Sequence, residues 1–146
     1  VPVGATLGRF AQALGRTPTP MSAMEEATFT ERRCAFRRLD GLPGVAFMVI
    51  DDDPVGTVRV IGVGERSDMS TDTGIRLGDH LDEVRAIYGQ GLNEPFDHYP
   101  VGGQAVLVRA DATSGVYWAF IGDQGDLVVD FRLGLKPEVL SPEGCS

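Results

Sequence analysis

The hydrophobic positions form the same short helical pattern in both halves of the chain. Apolar residues at positions one, four and eight of each segment give two matching stripes: Leu7, Phe10, Leu14 and Leu81, Val84, Tyr88. A glycine follows each stripe directly, Gly15 in the first half and Gly89 in the second, and glycine adopts the positive φ that ends a helix. The spacing predicts two short amphipathic helices. Thr6 is the predicted N-cap of the first, and either Asp79 or His80 caps the second.

Three strand patterns follow each helix. In the first half they cover residues 33–38, 45–50 and 57–63; in the second half they cover residues 104–109, 116–121 and 127–133. Segments rich in Asp, Gly and Ser separate them and are typical of turns. Serine and glutamate at Ser22 and Glu25 have the spacing of a capping box and predict one extra helical turn.

The two helical segments align at a constant offset, because Val3 in the first half corresponds to Leu77 in the second. Each half therefore has the pattern of a helix followed by a three-stranded meander. Such a half is too small to bury its own sheet, so we expect the two halves to share one core. The predicted fold is α+β: a single domain 1–146 of two tandem repeats, 1–70 and 71–146. Its six-stranded antiparallel sheet carries both helices on one face.

Composition restricts the function. The chain has 146 residues, 42% of them hydrophobic, and a formal net charge of −8. This is the composition of one ordinary globular domain. The negative charge argues against nucleic-acid binding, which needs a basic surface. No apolar run reaches the ~18 residues that would predict a transmembrane helix.

The two cysteines, Cys34 and Cys145, lie far apart and outside any metal-binding spacing. An even count with wide separation favours a disulfide between them; a nucleophilic thiol is the alternative. A disulfide would indicate an oxidising compartment, so we expect a periplasmic or secreted protein.

Catalytic and cofactor patterns are weak. His80 fits a helix start better than a general base, and no Ser-His pair, paired carboxylates or metal-ligand spacing accompanies either histidine. The acidic run at Asp51 to Asp53 departs from the EF-hand spacing, and no phosphate-binding glycine motif occurs. We therefore expect no enzyme activity, no metal and no cofactor.

The duplicated helix motif ending in glycine, followed by strands, resembles the β-lactamase-inhibitor-protein-like fold and the small outer-membrane assembly lipoproteins of the BamE-like group. Residues 71–78 and 84–89, with the ending Glu143-Gly144-Cys145-Ser146, are similar to a bacterial family of exported proteins. The resemblance implies an exported protein that binds other proteins. Unlike the inhibitor family, whose disulfides lie within each repeat, this chain has cysteines that would join the first repeat to the end of the second.

These patterns predict an exported protein-binding module, with inhibition of a hydrolase as a specific form of that activity. An envelope-structural or assembly protein is the alternative, and a small enzyme ranks last. The expected partner is another protein, and the sequence leaves the oligomeric state open. The candidate partner-binding residues are aromatic, imidazole and guanidinium side chains: His98, Tyr99, Tyr117, Trp118, Arg33 and Arg37. The aromatic loop at His98 fits recognition or packing, and the arginines fit an anionic partner or the chain's own acids.

Overall fold

Both predicted helices form, each eight residues long. In the computed structural model, helix α1 spans Leu7–Leu14 and helix α2 spans Leu81–Tyr88. The structure describes residues 2–19, 34–50, 57–92, 102–136 and 138–140. The extra helical turn predicted at residues 22–25 and the turn at 51–56 lie outside these ranges.

Local side chains determine where the helices begin and end. The Thr6 hydroxyl accepts a hydrogen bond from the backbone N–H three residues later, at 3.3 Å. His80, rather than Asp79, caps α2: its Nδ1 accepts from the N–H two residues later, at 3.1 Å. Gly15 and Gly89 end the helices with φ of 62° and 91°. The predicted caps are confirmed, because each depends only on neighbouring residues.

Six strands form one antiparallel sheet, which confirms the α+β fold. The strands are β1 Cys34–Arg37, β2 Val45–Ile50, β3 Thr57–Val63, β4 Gly102–Arg109, β5 Val116–Asp123 and β6 Val128–Leu135. Their order across the sheet is β1-β2-β3-β6-β5-β4, so the two halves of the chain meet where β3 pairs with β6. Strand β6 starts one residue later than predicted, because Leu127 pairs with His80 as an isolated bridge instead.

The segment before each helix is bonded to a central strand in the same way. The Gly4 N–H donates to the Val58 carbonyl oxygen of β3 at 2.8 Å, and the Gly78 N–H donates to the Val128 carbonyl oxygen of β6 at 2.8 Å. The N–H groups of Val58 and Val128 donate back to the residue after each glycine, at 2.9 and 2.8 Å. These bonds fix the start of each helix against the middle of the sheet.

Both central strands also contain a β-bulge. In β3 the register shifts by one residue at Arg59, and in β6 it shifts by one residue at Val129. A bulge increases the local twist of a strand.

One face of the sheet belongs to the larger hydrophobic cluster. Its buried members on the strands include Val45, Phe47, Val58, Phe120 and Phe131, and the same cluster contains buried residues of both helices: Leu7, Phe10, Ala11, Leu81 and Val84. This is the main core.

The opposite face holds a smaller cluster, in which Val139 is fully buried against Met48, Val60, Leu107 and Ala119. Val139 belongs to a 3₁₀ turn, Glu138–Leu140. Part of this second face is therefore covered by the chain itself.

An ion pair fastens the 3₁₀ turn to β3. One guanidinium nitrogen of Arg59 lies 2.8 Å from the Glu138 carboxylate and 2.8 Å from the Lys136 carbonyl oxygen. The bulge residue of β3 thus supplies the side chain that holds the turn over the sheet.

Candidate binding site

The predicted anchors Tyr117 and Trp118 point to opposite faces of β5. The Trp118 ring is partly buried and packs against the main core, with its centroid 5.8 Å from that of Phe120 and 6.1 Å from that of Phe131. Tyr117 lies beside the smaller cluster, and the Lys136 ammonium is 4.4 Å from its ring centroid. The two aromatic side chains therefore do not form one surface.

Arg37 is the last residue of β1 and is half-buried, in register with Phe47 of β2. Arg33, His98, Tyr99 and Cys145 lie outside the described residues, and Cys34 is described only by its backbone. The disulfide and the aromatic binding loop remain predictions.

An open apolar pocket, which the sequence patterns did not predict, lies between α1 and strands β2 and β3. Its volume is about 230 Å³, and eight side chains line it: Phe10, Ala13, Leu14, Leu42, Val45, Phe47, Ile61 and Met69. The floor is buried core, whereas two large apolar side chains at the rim are exposed: Leu14 by 47% and Met69 by 39%. We call this the α1 pocket.

The two helices differ at their last residue, which in α1 lines the pocket. Leu14 ends α1 at the position that Tyr88 occupies in α2. The Tyr88 ring packs on Phe120 with centroids 5.5 Å apart, and its hydroxyl is 2.6 Å from the Thr73 hydroxyl. Leu14 is smaller than tyrosine and is exposed at the rim of the α1 pocket.

A polar groove adjoins the α1 pocket. It has a volume of about 780 Å³ and is lined by Thr19, residues 38–44 and residues 64–66. Leu42 lines both cavities, so the two are neighbours. The charged residues along the groove are Arg38, Asp40, Glu65 and Arg66. We call this the arginine groove.

Hydrogen bonds hold one wall of the arginine groove. The Thr19 N–H donates to the Arg38 carbonyl oxygen at 2.9 Å, and the Asp40 N–H donates to the Thr17 carbonyl oxygen at 2.8 Å. The Thr19 hydroxyl also donates to the Asp40 carboxylate at 2.6 Å. This carboxylate is thus already hydrogen-bonded within the chain.

The other wall is a tight turn closed by a bond from the Ser67 N–H to the Gly64 carbonyl oxygen, at 3.1 Å. Arg66, the third residue of this turn, has a φ of 80°, a conformation that favours glycine. Gly44 packs against the turn, and the Gly64 N–H donates to its carbonyl oxygen at 2.9 Å. The groove is therefore built from closely packed backbone.

A second group of charges lies on β6, where Arg132 is 7% exposed and its guanidinium is 3.1 Å from the Asp130 carboxylate. Burial raises the pKa of Asp130 above its ordinary value, while the Arg132 charge acts in the opposite direction. Because the two charges are paired on a buried strand, we interpret them as part of the fold.

We expect Asp130 to take up its proton at a higher pH than Asp111. Hydrogen bonds from the backbone N–H groups of Ser114 and Thr113, at 2.7 and 2.9 Å, stabilise the Asp111 carboxylate and lower its pKa. Carboxyl ¹³C shifts followed by NMR between pH 7 and pH 2 check this order. If Asp111 took up its proton at the higher pH, the partial burial assigned to Asp130 would be wrong.

Within the described residues, no three His, Cys, Asp or Glu side chains lie close enough together to hold a metal ion. None of the described helices is both long and apolar enough to cross a membrane. Comparison with known proteins finds no family model, no curated protein and no solved structure that matches the chain.

Proposed function

We propose that this chain is a protein-binding module and that the α1 pocket receives an apolar side chain of the partner. The observation that carries the proposal is the open apolar pocket with two exposed rim residues, Leu14 and Met69. Its volume of about 230 Å³ is below the ~300–1,000 Å³ usual for small-molecule sites. A cavity of this size fits one side chain, and such anchored side chains dominate the energy of protein interfaces.

We further propose that the chain is a duplicated helix-and-meander unit with both helices on one face of the sheet. The matching bonds at Gly4 and Gly78 and the bulges at Arg59 and Val129 support the duplication. The presence of both helices in one hydrophobic cluster supports their common face. In such a duplication, Leu14 at the rim of the α1 pocket is the counterpart of Tyr88 in the second helix.

The proposed setting is the periplasm or the cell exterior, and inhibition of a hydrolase is the proposed form of the binding activity. The cysteine pair, Cys34 and Cys145, supports an oxidising compartment. The helix motif's resemblance to exported binding proteins supports the inhibitory role.

We expect Leu14→Glu to abolish partner binding, whereas Ile87→Glu has no effect. Both residues are 47% exposed, and each lies near the end of its helix, so the two variants introduce the same charge on similar surfaces. Loss of an interface anchor costs about 2 kcal/mol or more, which corresponds to at least about a thirtyfold loss of affinity. The immobilised wild-type chain and both variants are used to capture proteins from a bacterial envelope extract, and the captured protein is then purified.

The decisive quantity is the Kd of that purified protein for the three chains, measured by calorimetry, with the melting temperature of each variant as the folding control. Equal affinity for the wild type and Leu14→Glu would contradict binding at the α1 pocket. Loss of catalytic activity in a captured hydrolase would support the inhibitor, and an assembly lipoprotein would favour the structural alternative. A dimer of the chain that Leu14→Glu dissociates would assign the pocket to a second copy.

A further inference from the structure

We infer that the partner residue that enters the α1 pocket is aromatic. The inference rests on the proposed function, which places an apolar side chain of the partner in this pocket, and it adds the chemical class of that side chain. The observation that carries it is a correspondence between the halves of the chain: the pocket lies where the second half has a cluster of aromatic rings.

The hydrogen bonds and the strand register make the two halves comparable residue by residue. Val58 of β3 and Val128 of β6 correspond, because each exchanges hydrogen bonds with the segment before a helix and each precedes the bulge residue of its strand. Three residues further along, Ile61 in β3 corresponds to Phe131 in β6. The register to the neighbouring strands then gives two more corresponding pairs, which are Phe47 with Phe120 and Val45 with Trp118.

In the second half these positions form an aromatic cluster with the last residue of α2. The Phe120 ring lies in its middle, with centroid distances of 5.5 Å to Tyr88, 5.8 Å to Trp118 and 5.9 Å to Phe131. The Trp118 and Phe131 centroids are 6.1 Å apart. Rings whose centroids are about 4.5–7 Å apart attract one another beyond the effect of burying their surface. This part of the second half is therefore packed with four connected rings.

The corresponding positions of the first half all line the α1 pocket. Three of them have an aliphatic residue where the second half has a ring: Leu14, Val45 and Ile61. The fourth has a ring, Phe47, and α1 contributes one more, Phe10, whose centroid is 5.6 Å from that of Phe47. The pocket thus has two rings in its lining at the place where the second half has four in contact.

The size and the lining of the α1 pocket suit an aromatic ring. A closed apolar cavity of roughly 150 Å³ holds a benzene molecule, and the α1 pocket has a volume of about 230 Å³. All eight lining side chains are apolar, and Met69 brings a thioether to the rim. Aromatic rings and thioether sulfur atoms both make favourable contacts with a ring. A partner ring in the pocket therefore packs on Phe10 and Phe47 as the rings of the second half pack on one another.

The experiment compares two neutral probes of similar size, N-acetyl-phenylalaninamide and N-acetyl-cyclohexylalaninamide, whose rings are aromatic and saturated, respectively. Each is titrated into the full chain labelled with ¹³C in its methyl groups, and the methyl shifts are followed by NMR. We expect both probes to shift the methyl groups of Leu14, Ile61 and Met69, which line the pocket. We expect the aromatic probe to bind about threefold more tightly, because contacts between rings add to the burial of apolar surface.

The variant Leu14→Tyr places a ring at the position that corresponds to Tyr88. We expect the introduced ring to give NOEs to Phe47 and to weaken binding of the aromatic probe by about tenfold or more, because it competes from within the same chain. Ile87→Tyr is the matched control, since Ile87 is also 47% exposed, lies near the end of the other helix and does not line the pocket. It should leave both affinities unchanged, and the melting temperatures show that the variants are folded.

The outcomes separate this inference from the proposed function. Equal or tighter binding of the cyclohexyl probe, with shifts at the pocket, would overturn the aromatic partner residue and leave the apolar anchor site intact. Unchanged binding of the aromatic probe to folded Leu14→Tyr would overturn it too. In the absence of any probe, NOEs from Met69 to an aromatic ring outside the pocket lining, in the same chain or in a second copy, would assign the pocket to that ring instead. Absence of shifts at the pocket with both probes would contradict the α1 pocket itself.

Discussion

Replacing Phe120 by alanine is expected to destabilise the chain by about 3–5 kcal/mol, a large share of the stability of a domain this size. Phe120 is fully buried and its ring contacts three other aromatic rings. The centroid distances are 5.5 Å to Tyr88, 5.8 Å to Trp118 and 5.9 Å to Phe131. The substitution leaves a cavity at the place where helix α2 packs on strands β5 and β6.

Urea unfolding followed by fluorescence measures this effect directly, because Trp118 is the only tryptophan and stacks on Phe120. Phe36→Ala is the matched control, since Phe36 is 40% exposed on the edge strand β1. Its truncation is expected to cost about 1 kcal/mol or less. Similar losses of stability in the two variants would contradict the core assigned here.

The second large effect is expected for Gly44→Ala, at about 2–4 kcal/mol of lost stability. Gly44 has a φ of 76°, and an added Cβ would lie 2.5 Å from the Glu65 carbonyl oxygen and 2.6 Å from the Ser67 amide nitrogen. Both contacts are with backbone atoms of the turn, so the clash is relieved only if the turn that forms this wall of the arginine groove shifts. The variant therefore combines conformational strain with a steric clash.

Gly64→Ala is the control for this variant. Gly64 is the first residue of the turn against which Gly44 packs. It does not have a positive φ, and a Cβ atom added to it would meet nothing within 4 Å. We expect its stability to stay within about 1 kcal/mol of the wild type. Thermal unfolding of both variants by circular dichroism tests the prediction. If alanine were tolerated equally well at both positions, the close packing of Gly44 on the turn would be wrong.

The local elements were predictable because their determinants are local. Thr6 and Gly15 bracket α1, and the apolar run of β2 has the same bounds in the sequence pattern and in the structure, Val45–Ile50. The sheet order was not predictable in the same way. The pairing of β3 with β6 joins residues about seventy positions apart, and neither strand contains a sequence pattern that identifies the strand with which it pairs.

The orientation of the side chains on β5 is a second feature that the sequence pattern did not predict. Val116 to Ile121 is almost continuously apolar, so alternation does not distinguish an inner from an outer face. Neighbouring residues of a strand point to opposite faces, so Tyr117 and Trp118 do not form one surface, and the structure shows that Trp118 is the one that packs against the main core. The same alternation separates Arg37, opposite Phe47, from Arg38, which lines the arginine groove.

The α1 pocket depends on packing that no single segment encodes. The aligned stripes show that Leu14 stands where the second helix has Tyr88, and this smaller side chain was the sequence feature that could have indicated a pocket. Whether the missing ring leaves a cavity depends on how Phe10, Phe47 and Met69 pack around it. The position of Arg66 in the groove could not be predicted, because in the sequence it is one arginine in a polar connector and its positive φ appears only in the structure.

Hydrogen–deuterium exchange of the chain, alone and bound to its purified partner, shows whether the partner binds at the α1 pocket. We expect protection in the partner complex at residues 38–45, at residues 64–70 and at the end of α1, where the α1 pocket and the arginine groove lie. Protection confined to the second face of the sheet, around Tyr117 and Leu140, with no change near Leu14, would contradict binding at the α1 pocket.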